Sequence, residues 1–161
     1  MYDDLEEILL DEDAIRAEVE RLAREISKDY ADRTPHLIGV LKSSVAFLAD
    51  LIRALTVPAT ADFISISSYG PPTPSGVVTI RKDLDDPIEG RDVIVVEGII
   101  DTGLTLSYLL RNFQTRNPAS LKDCTFINKR AQRIIDLGED YVGREIPDKF
   151  VVGFGLDYAQ R

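Results

Sequence analysis

Apolar positions along the chain switch between two spacings. Ile15, Val19, Leu22, Ala23, Ile26 and Tyr30 recur at the period of one helix face, with Arg16, Glu18, Arg24 and Lys28 opposite. Asp11 or Asp13 caps that helix, and residues 32–35 end it. Residues 36–41 form a short apolar run, the mark of a buried strand. Ser43 or Ser44 opens a second helix with Phe47, Leu48, Leu51, Ile52 and Leu55 inward. Residues 59–67 read as a strand through Phe63, Ile64 and Ile66. Residues 69–76 hold three prolines and two glycines and are a loop, after which 77–80 pair as a strand. Val93-Ile94-Val95-Val96 makes 92–97 the strongest strand signal, and Leu106, Leu109, Leu110 and Phe113 mark a helix over 104–114. Further strands are expected over 121–128 and 149–154.

Strands separated by helices of this length imply crossover connections, hence an α/β fold with a central, mostly parallel sheet flanked by helices. In such a sheet ligands bind beyond the carboxyl ends of the strands. The loops after Leu41, Ser67, Glu97, Asn128 and Phe154 are therefore the candidate site.

Composition narrows the classes. A chain of 161 residues, 44% hydrophobic and 29% charged, is a single globular domain over 1–161 with room for a full core. A net charge of −9 argues against nucleic acid as a partner, although a local basic pocket remains compatible with it. Cys124 is the one cysteine and cannot form an internal disulfide. No apolar run approaches the roughly 20 residues of a membrane span, and the first residues are acidic, unlike a signal peptide. These features point to a cytoplasmic protein with no membrane partner.

The chemistry concentrates in Glu97-Gly98-Ile99-Ile100-Asp101-Thr102-Gly103-Leu104-Thr105, which follows the strongest strand. A turn that opens a helix presents unpaired backbone N–H groups and the positive end of the helix dipole, which together hold a phosphate. Thr102 and Thr105 add hydroxyl donors, and Gly103 allows close approach. Glu97 and Asp101 place two carboxylates beside that cradle, as suits holding a metal or sugar hydroxyls or moving a proton. Asp101 and Thr102 alone could be simple helix caps; the complete strand–acid–turn–helix string is far more specific. His36 reads as structural, and Cys124 as core.

This string resembles the phosphoribosyl-diphosphate-binding signature of type I phosphoribosyltransferases. Leu37 to Lys42 with Phe47 to Leu51, Asp62 to Ile64 running into Ser67 to Gly70, Lys129 with Arg133, and Phe150 to Tyr158 resemble the hypoxanthine-guanine members. The resemblance implies the type I phosphoribosyltransferase fold with a small hood region. It implies purine salvage: transfer of a phosphoribosyl group from 5-phosphoribosyl 1-diphosphate to hypoxanthine or guanine, with Mg²⁺. Asp101 would be the catalytic carboxylate at the purine N7. Asp101, Thr102, Gly103, Leu104 and Thr105 would wrap the 5′-phosphate, and Glu97 would meet the ribose and metal. Lys129 would read the exocyclic oxygen, Phe150 would stack on the base, and Val151 would offer backbone groups to its edge. Asp157 would line the purine site and help hold a second metal ion. Lys42, Ser43 and Arg133 would bind pyrophosphate, while Ser67, Ser68, Tyr69 and Gly70 would belong to a lid. A homodimer or homotetramer is implied as well.

Three departures from the family pattern stand out. Glu97 is followed by Gly98 where the signature has a second acid, which implies weaker phosphoribosyl diphosphate binding. Lys42 is followed by Ser43 and Ser44 where the family has glycine, often with a cis peptide. The sequence stops four residues past Asp157, which implies that the family's C-terminal segment is lacking. These departures motivate a rival expectation: a non-catalytic relative that senses nucleotide or phosphoribosyl diphosphate.

Overall fold

The computed structural model describes residues 7–69 and 77–156. Helix α1 spans Glu12–Asp29, and the Asp11 carboxylate accepts the Ala14 N–H at 2.8 Å to cap it. Strand β1 (His36–Leu41) leads to α2 (Val45–Ala54), then to β2 (Thr60–Tyr69) and β3 (Val77–Lys82). Strand β4 (Asp92–Ile100) turns into α3 (Leu104–Gln114), followed by β5 (Ser120–Asn128), a 3₁₀ turn at Arg130–Gln132 and β6 (Tyr141–Glu145). The sheet runs β3-β2-β1-β4-β5-β6, with β3 antiparallel to β2 and every other pair parallel.

Both faces of the sheet are covered. On one, Val19, Leu22, Ile26 and Tyr30 of α1 and Phe47, Leu48 and Leu51 of α2 close over Leu37, Ile94, Val96, Cys124 and Phe126. On the other, Leu106, Leu109 and Phe113 of α3 pack on Ile38, Val40, Ile64, Val93 and Val95. Strand β4 is thus buried on both sides, which is why its sequence is an unbroken apolar run rather than an alternating one. Among the described residues no helix is long and apolar enough to cross a membrane.

Four sequence expectations are corrected. Residues 149–154 form no strand; a lone bridge joins Gly153 and Leu156. Gly153, Phe154 and Gly155 all have positive φ, which a strand cannot contain. The last strand is instead β6, whose polar Arg144 and Glu145 hide the apolar signal. Glu18, placed on the outer face of α1, is buried because Arg21 at 2.5 Å and Arg144 of β6 at 3.4 Å enclose it. Ile52, expected inward on α2, is exposed. The segment 146–156 is irregular, and its Val151, Phe154 and Leu156 pack on the α1–α2 core; among the described residues it forms the hood.

Phe113 is fully buried under α3 and is the largest side chain there. Phe113→Ala is expected to lower the unfolding free energy by about 3–5 kcal/mol in urea titration, with no change in the denaturant slope.

Candidate active site

A crevice of about 370 Å³ opens at the carboxyl end of the sheet, between the ends of β1 and β4 and the start of α3. Val40, Leu41, Ser43, Ile66, Glu97, Asp101, Thr102, Gly103 and Thr105 are among the residues lining it. Of the residues expected to hold the phosphate, Asp101, Thr102, Gly103 and Thr105 therefore line one cavity. Gly103 has φ 81°, the left-handed region, and caps α3. A Cβ there would stand 3.0 Å from the Arg133 Cδ and the Ile135 carbonyl oxygen. Only glycine lets the turn be both this tight and this closely backed. The Thr102 hydroxyl accepts the Leu104 N–H at 3.3 Å, and the first-turn amides of α3 have no partner within the helix.

The turn is anchored from behind. The Thr102 carbonyl accepts the Ile134 and Ile135 N–H groups at 2.9 and 3.2 Å. The Arg133 guanidinium donates to the Asp101 carbonyl at 3.3 Å, to the Asn128 side-chain oxygen and to Glu139. Arg133 and Glu139 are both nearly buried, at 11% and 9% side-chain exposure, and Arg130 adds a second cation to Glu139 at 3.7 Å. Arg133, which the sequence assigns to pyrophosphate, therefore lies outside the crevice with its donors engaged. Asn128 and Glu139 were not foreseen; only the pairing of β5 with the segment after it reveals them.

Lys129 follows β5, and its N–H bonds the Ile100 carbonyl at 2.9 Å. That backbone link brings its ammonium to 3.6 Å from the Asp101 carboxylate, with the lysine buried (8%) and the aspartate half exposed (51%). The two residues assigned to the purine end are thus already together. Phe150 is exposed, at 74%, and Val151 is half-buried against the first core. Leu104 starts α3 but does not line the crevice.

The peptide bond between Leu41 and Lys42 is cis, ahead of the lysine rather than at either serine. Ser44 closes the loop: its N–H and Oγ both donate to the Val40 carbonyl, at 3.3 and 2.8 Å. Ser67, Ser68 and Tyr69 belong to β2 rather than to a loop, with Ser68 opposite Val78 and Tyr69 opposite Val77. The Ser67 hydroxyl is buried without a partner. Gly70 and Asp157 lie outside the described residues. His36 donates to or accepts from the Thr60 hydroxyl at 2.8 Å, far along β1 from the crevice end.

Glu97 is buried in the crevice wall, and burial lifts its carboxyl to about 8. Asp123 of β5 is raised to about 7 by burial and by the neighbouring Asp140. Both values lie above the ordinary carboxylate range. The neutral acids therefore stabilise the fold fully at low pH, and that contribution is lost as pH rises through about 7 to 8. Stability measured by urea titration is expected to fall from about pH 5 to pH 8.5. Glu97→Gln should remove a large part of that fall and leave the part due to Asp123. An unchanged slope in the variant would contradict this environment for Glu97.

Comparison with known proteins agrees with this geometry. The sequence model of the phosphoribosyl transferase domain matches residues 6–159. The hypoxanthine-guanine phosphoribosyltransferase of Bacillus subtilis is 47% identical over 162 residues, covering 100% of this chain and 90% of that protein. That of Mycobacterium avium is 47% identical over 165 residues, covering 98% and 81%. Among solved structures, a hypoxanthine phosphoribosyltransferase from Staphylococcus aureus superposes with a TM-score of 0.95 at 38% identity, covering 100% of this chain and 88% of that one. The enzyme from Trypanosoma cruzi in complex with the product IMP gives 0.93 at 41% identity, covering 100% and 91%. With its strand–acid–turn–helix site intact and relatives this similar along its whole length, the chain belongs to the phosphoribosyltransferase family, among the hypoxanthine-guanine enzymes.

Proposed function

We propose that this chain is a cytoplasmic purine-salvage enzyme that joins hypoxanthine or guanine to 5-phosphoribosyl 1-diphosphate, giving IMP or GMP and pyrophosphate. The observation that carries the reading is the pairing of the Asp101 carboxylate and the Lys129 ammonium, 3.6 Å apart, at the mouth of the phosphate turn. A site that only sensed a phosphorylated ligand would have no need of an acid–base group held at that point. A non-catalytic sensor is not favoured by relatives that are themselves named as enzymes.

The backbone amides of Thr102 to Thr105 and the hydroxyls of Thr102 and Thr105 hold the 5′-phosphate. That grip fixes C1′ against the incoming base and removes the entropy of bringing the reactants together. N9 of the base then bonds to C1′ as the C1′–oxygen bond to pyrophosphate breaks, and the bonding pair leaves with the pyrophosphate. The N7 proton passes to the half-exposed Asp101 carboxylate. Lys129 donates to the exocyclic oxygen of a 6-oxopurine; a 6-amino group would face the ammonium with donors of its own and be rejected. Phe150 and the backbone of Val151 bound the base, and Lys42 and Ser43 face the pyrophosphate. Self-association into a homodimer or homotetramer belongs to the same reading.

A divalent cation fits the residues in a limited way. Among the described residues no group of three acids, histidines or cysteines could hold one unaided. The buried, desolvated Glu97 is a carboxylate whose charged form a cation would favour. That suits Mg²⁺ carried largely by substrate phosphates and water, with Glu97 at the ribose side. When bound, the ion neutralises charge on the departing pyrophosphate.

A spectrophotometric assay of the purified chain with Mg²⁺, phosphoribosyl diphosphate and each of hypoxanthine, guanine and xanthine tests the proposal. Turnover of hypoxanthine or guanine is expected; nucleotide binding without turnover would overturn it in favour of a sensor. Asp101→Asn should lower kcat by about 10²–10⁴ while leaving KM for phosphoribosyl diphosphate within a few-fold. Lys129→Gln should raise KM for the base and narrow the preference for hypoxanthine over adenine.

A further inference from the structure

Two of the sequence departures, Ser43 and Gly98, lie far apart along the chain and meet in space. A Cβ placed on Gly98 would stand 2.5 Å from the Ser43 carbonyl oxygen, 2.9 Å from its carbonyl carbon and 3.3 Å from its Cβ. The two closest atoms are backbone, which cannot swing aside as the end of a flexible side chain can. The loop that carries them is held at both ends. Ser44 is buried and bonded twice to Val40, and the Val45 N–H reaches the Lys42 carbonyl at 3.2 Å. On its other side the same Ser43 oxygen would meet a Cβ on Gly155 at 2.6 Å. The carbonyl therefore occupies a slot between two glycines, one from β4 and one from the hood.

From this geometry we propose that residues 43 and 98 are a coupled pair that positions the loop after β1, and that the absence of a side chain at 98 is the counterpart of serine at 43. The inference rests on the phosphoribosyl-transfer reading, because that reading gives the loop its task. Lys42 and Ser43 present donors to the pyrophosphate, and Ser43 lines the crevice beside Glu97. Any side chain at 98 displaces the Ser43 carbonyl and carries those donors with it. Serine restricts φ and ψ, so its carbonyl has little freedom to turn away; glycine at 43 would keep the two backbone atoms but remove the Cβ at 3.3 Å and give the backbone more freedom to move them aside. An acid at 98 therefore requires this loop to shift, and glycine at 43 makes that shift easier. Gly98 is in these terms a positioning residue that acts through Ser43, and the missing second acid is not restored without moving the loop.

A double-mutant cycle tests the pair: Gly98→Asp, Ser43→Gly and both together, each read as KM for phosphoribosyl diphosphate, KM for pyrophosphate in the reverse direction, kcat and Tm. Gly98→Asp alone should raise both KM values by about tenfold and lower Tm, with a smaller change in kcat. Ser43→Gly alone should raise them several-fold. The double variant should bind both substrates about tenfold more tightly than Gly98→Asp; set against the several-fold loss from Ser43→Gly alone, that is a coupling of about 2 kcal/mol. Gly98→Ala, which adds the Cβ alone, should show the same division between KM and kcat should the aspartate variant fail to fold. A single Gly98→Asp variant with KM at or below that of the unsubstituted chain, or strictly additive effects, would overturn the coupling. Turnover by the unsubstituted chain tests the functional reading separately. The Tm arm of the cycle reads the steric coupling with no substrate present, so the failure of one is distinguishable from the failure of the other.

Discussion

The Thr102 carbonyl accepts two backbone amides, from Ile134 and Ile135, and the site depends on that forked contact. A turn between a strand and a helix has few internal hydrogen bonds of its own, so its amides could point in many directions. Here the segment after β5 fixes it from outside. Arg133 adds a third tie to the Asp101 carbonyl and is itself neutralised by Glu139, so its buried charge is paired. With the outer side of the turn held by protein, its inner side is left to the ligand. The left-handed Gly103 is what allows the chain to pass so close to Arg133 and Ile135 while turning.

The same construction places the acid–base group. Residue 101 lies at the end of the buried strand β4, and Lys129 lies at the end of its neighbour β5 in parallel register, with Ile100 opposite Asn128. Parallel pairing, continued by the Lys129 N–H on the Ile100 carbonyl, therefore brings the aspartate and the lysine together. The cavity at the carboxyl end of the sheet is a consequence of the topology, and the residues on its rim decide the chemistry. Glu97, one strand position before Gly98, is deep enough that burial holds its carboxyl toward the neutral form.

Much of this was legible in the sequence because its signals are local. The limits of β1 and α3 follow from apolar period and punctuation, and the cap is narrowed to Asp11 or Asp13, of which the structure selects Asp11. The phosphate turn is a contiguous string. What escaped is non-local. Strand β6 carries Gly143 pressed against the Phe126 backbone and two charged residues, one of which neutralises buried Glu18 on α1, so its apolar pattern is faint. Residues 149–154 look apolar enough for a strand, yet positive φ at successive residues turns them into hood. Family resemblance gives Arg133 a ligand-binding role; the fold adds that Glu139 and Asn128 engage its guanidinium. The contact of Ser43 with Gly98 likewise joins residues from different loops, and its meaning is steric rather than chemical.

On the proposed function, main-chain amides at the start of α3 grip the phosphate of a phosphoribosyl ligand. The most direct measurement is an amide NMR titration of the full chain with IMP in the presence of Mg²⁺. The claim predicts saturable shifts concentrated at the amides of Thr102, Gly103, Leu104 and Thr105, with the Lys129 amide following as the base binds. Saturation with no shift at those four amides, or with shifts centred on the Arg130–Asp136 surface instead, would contradict it.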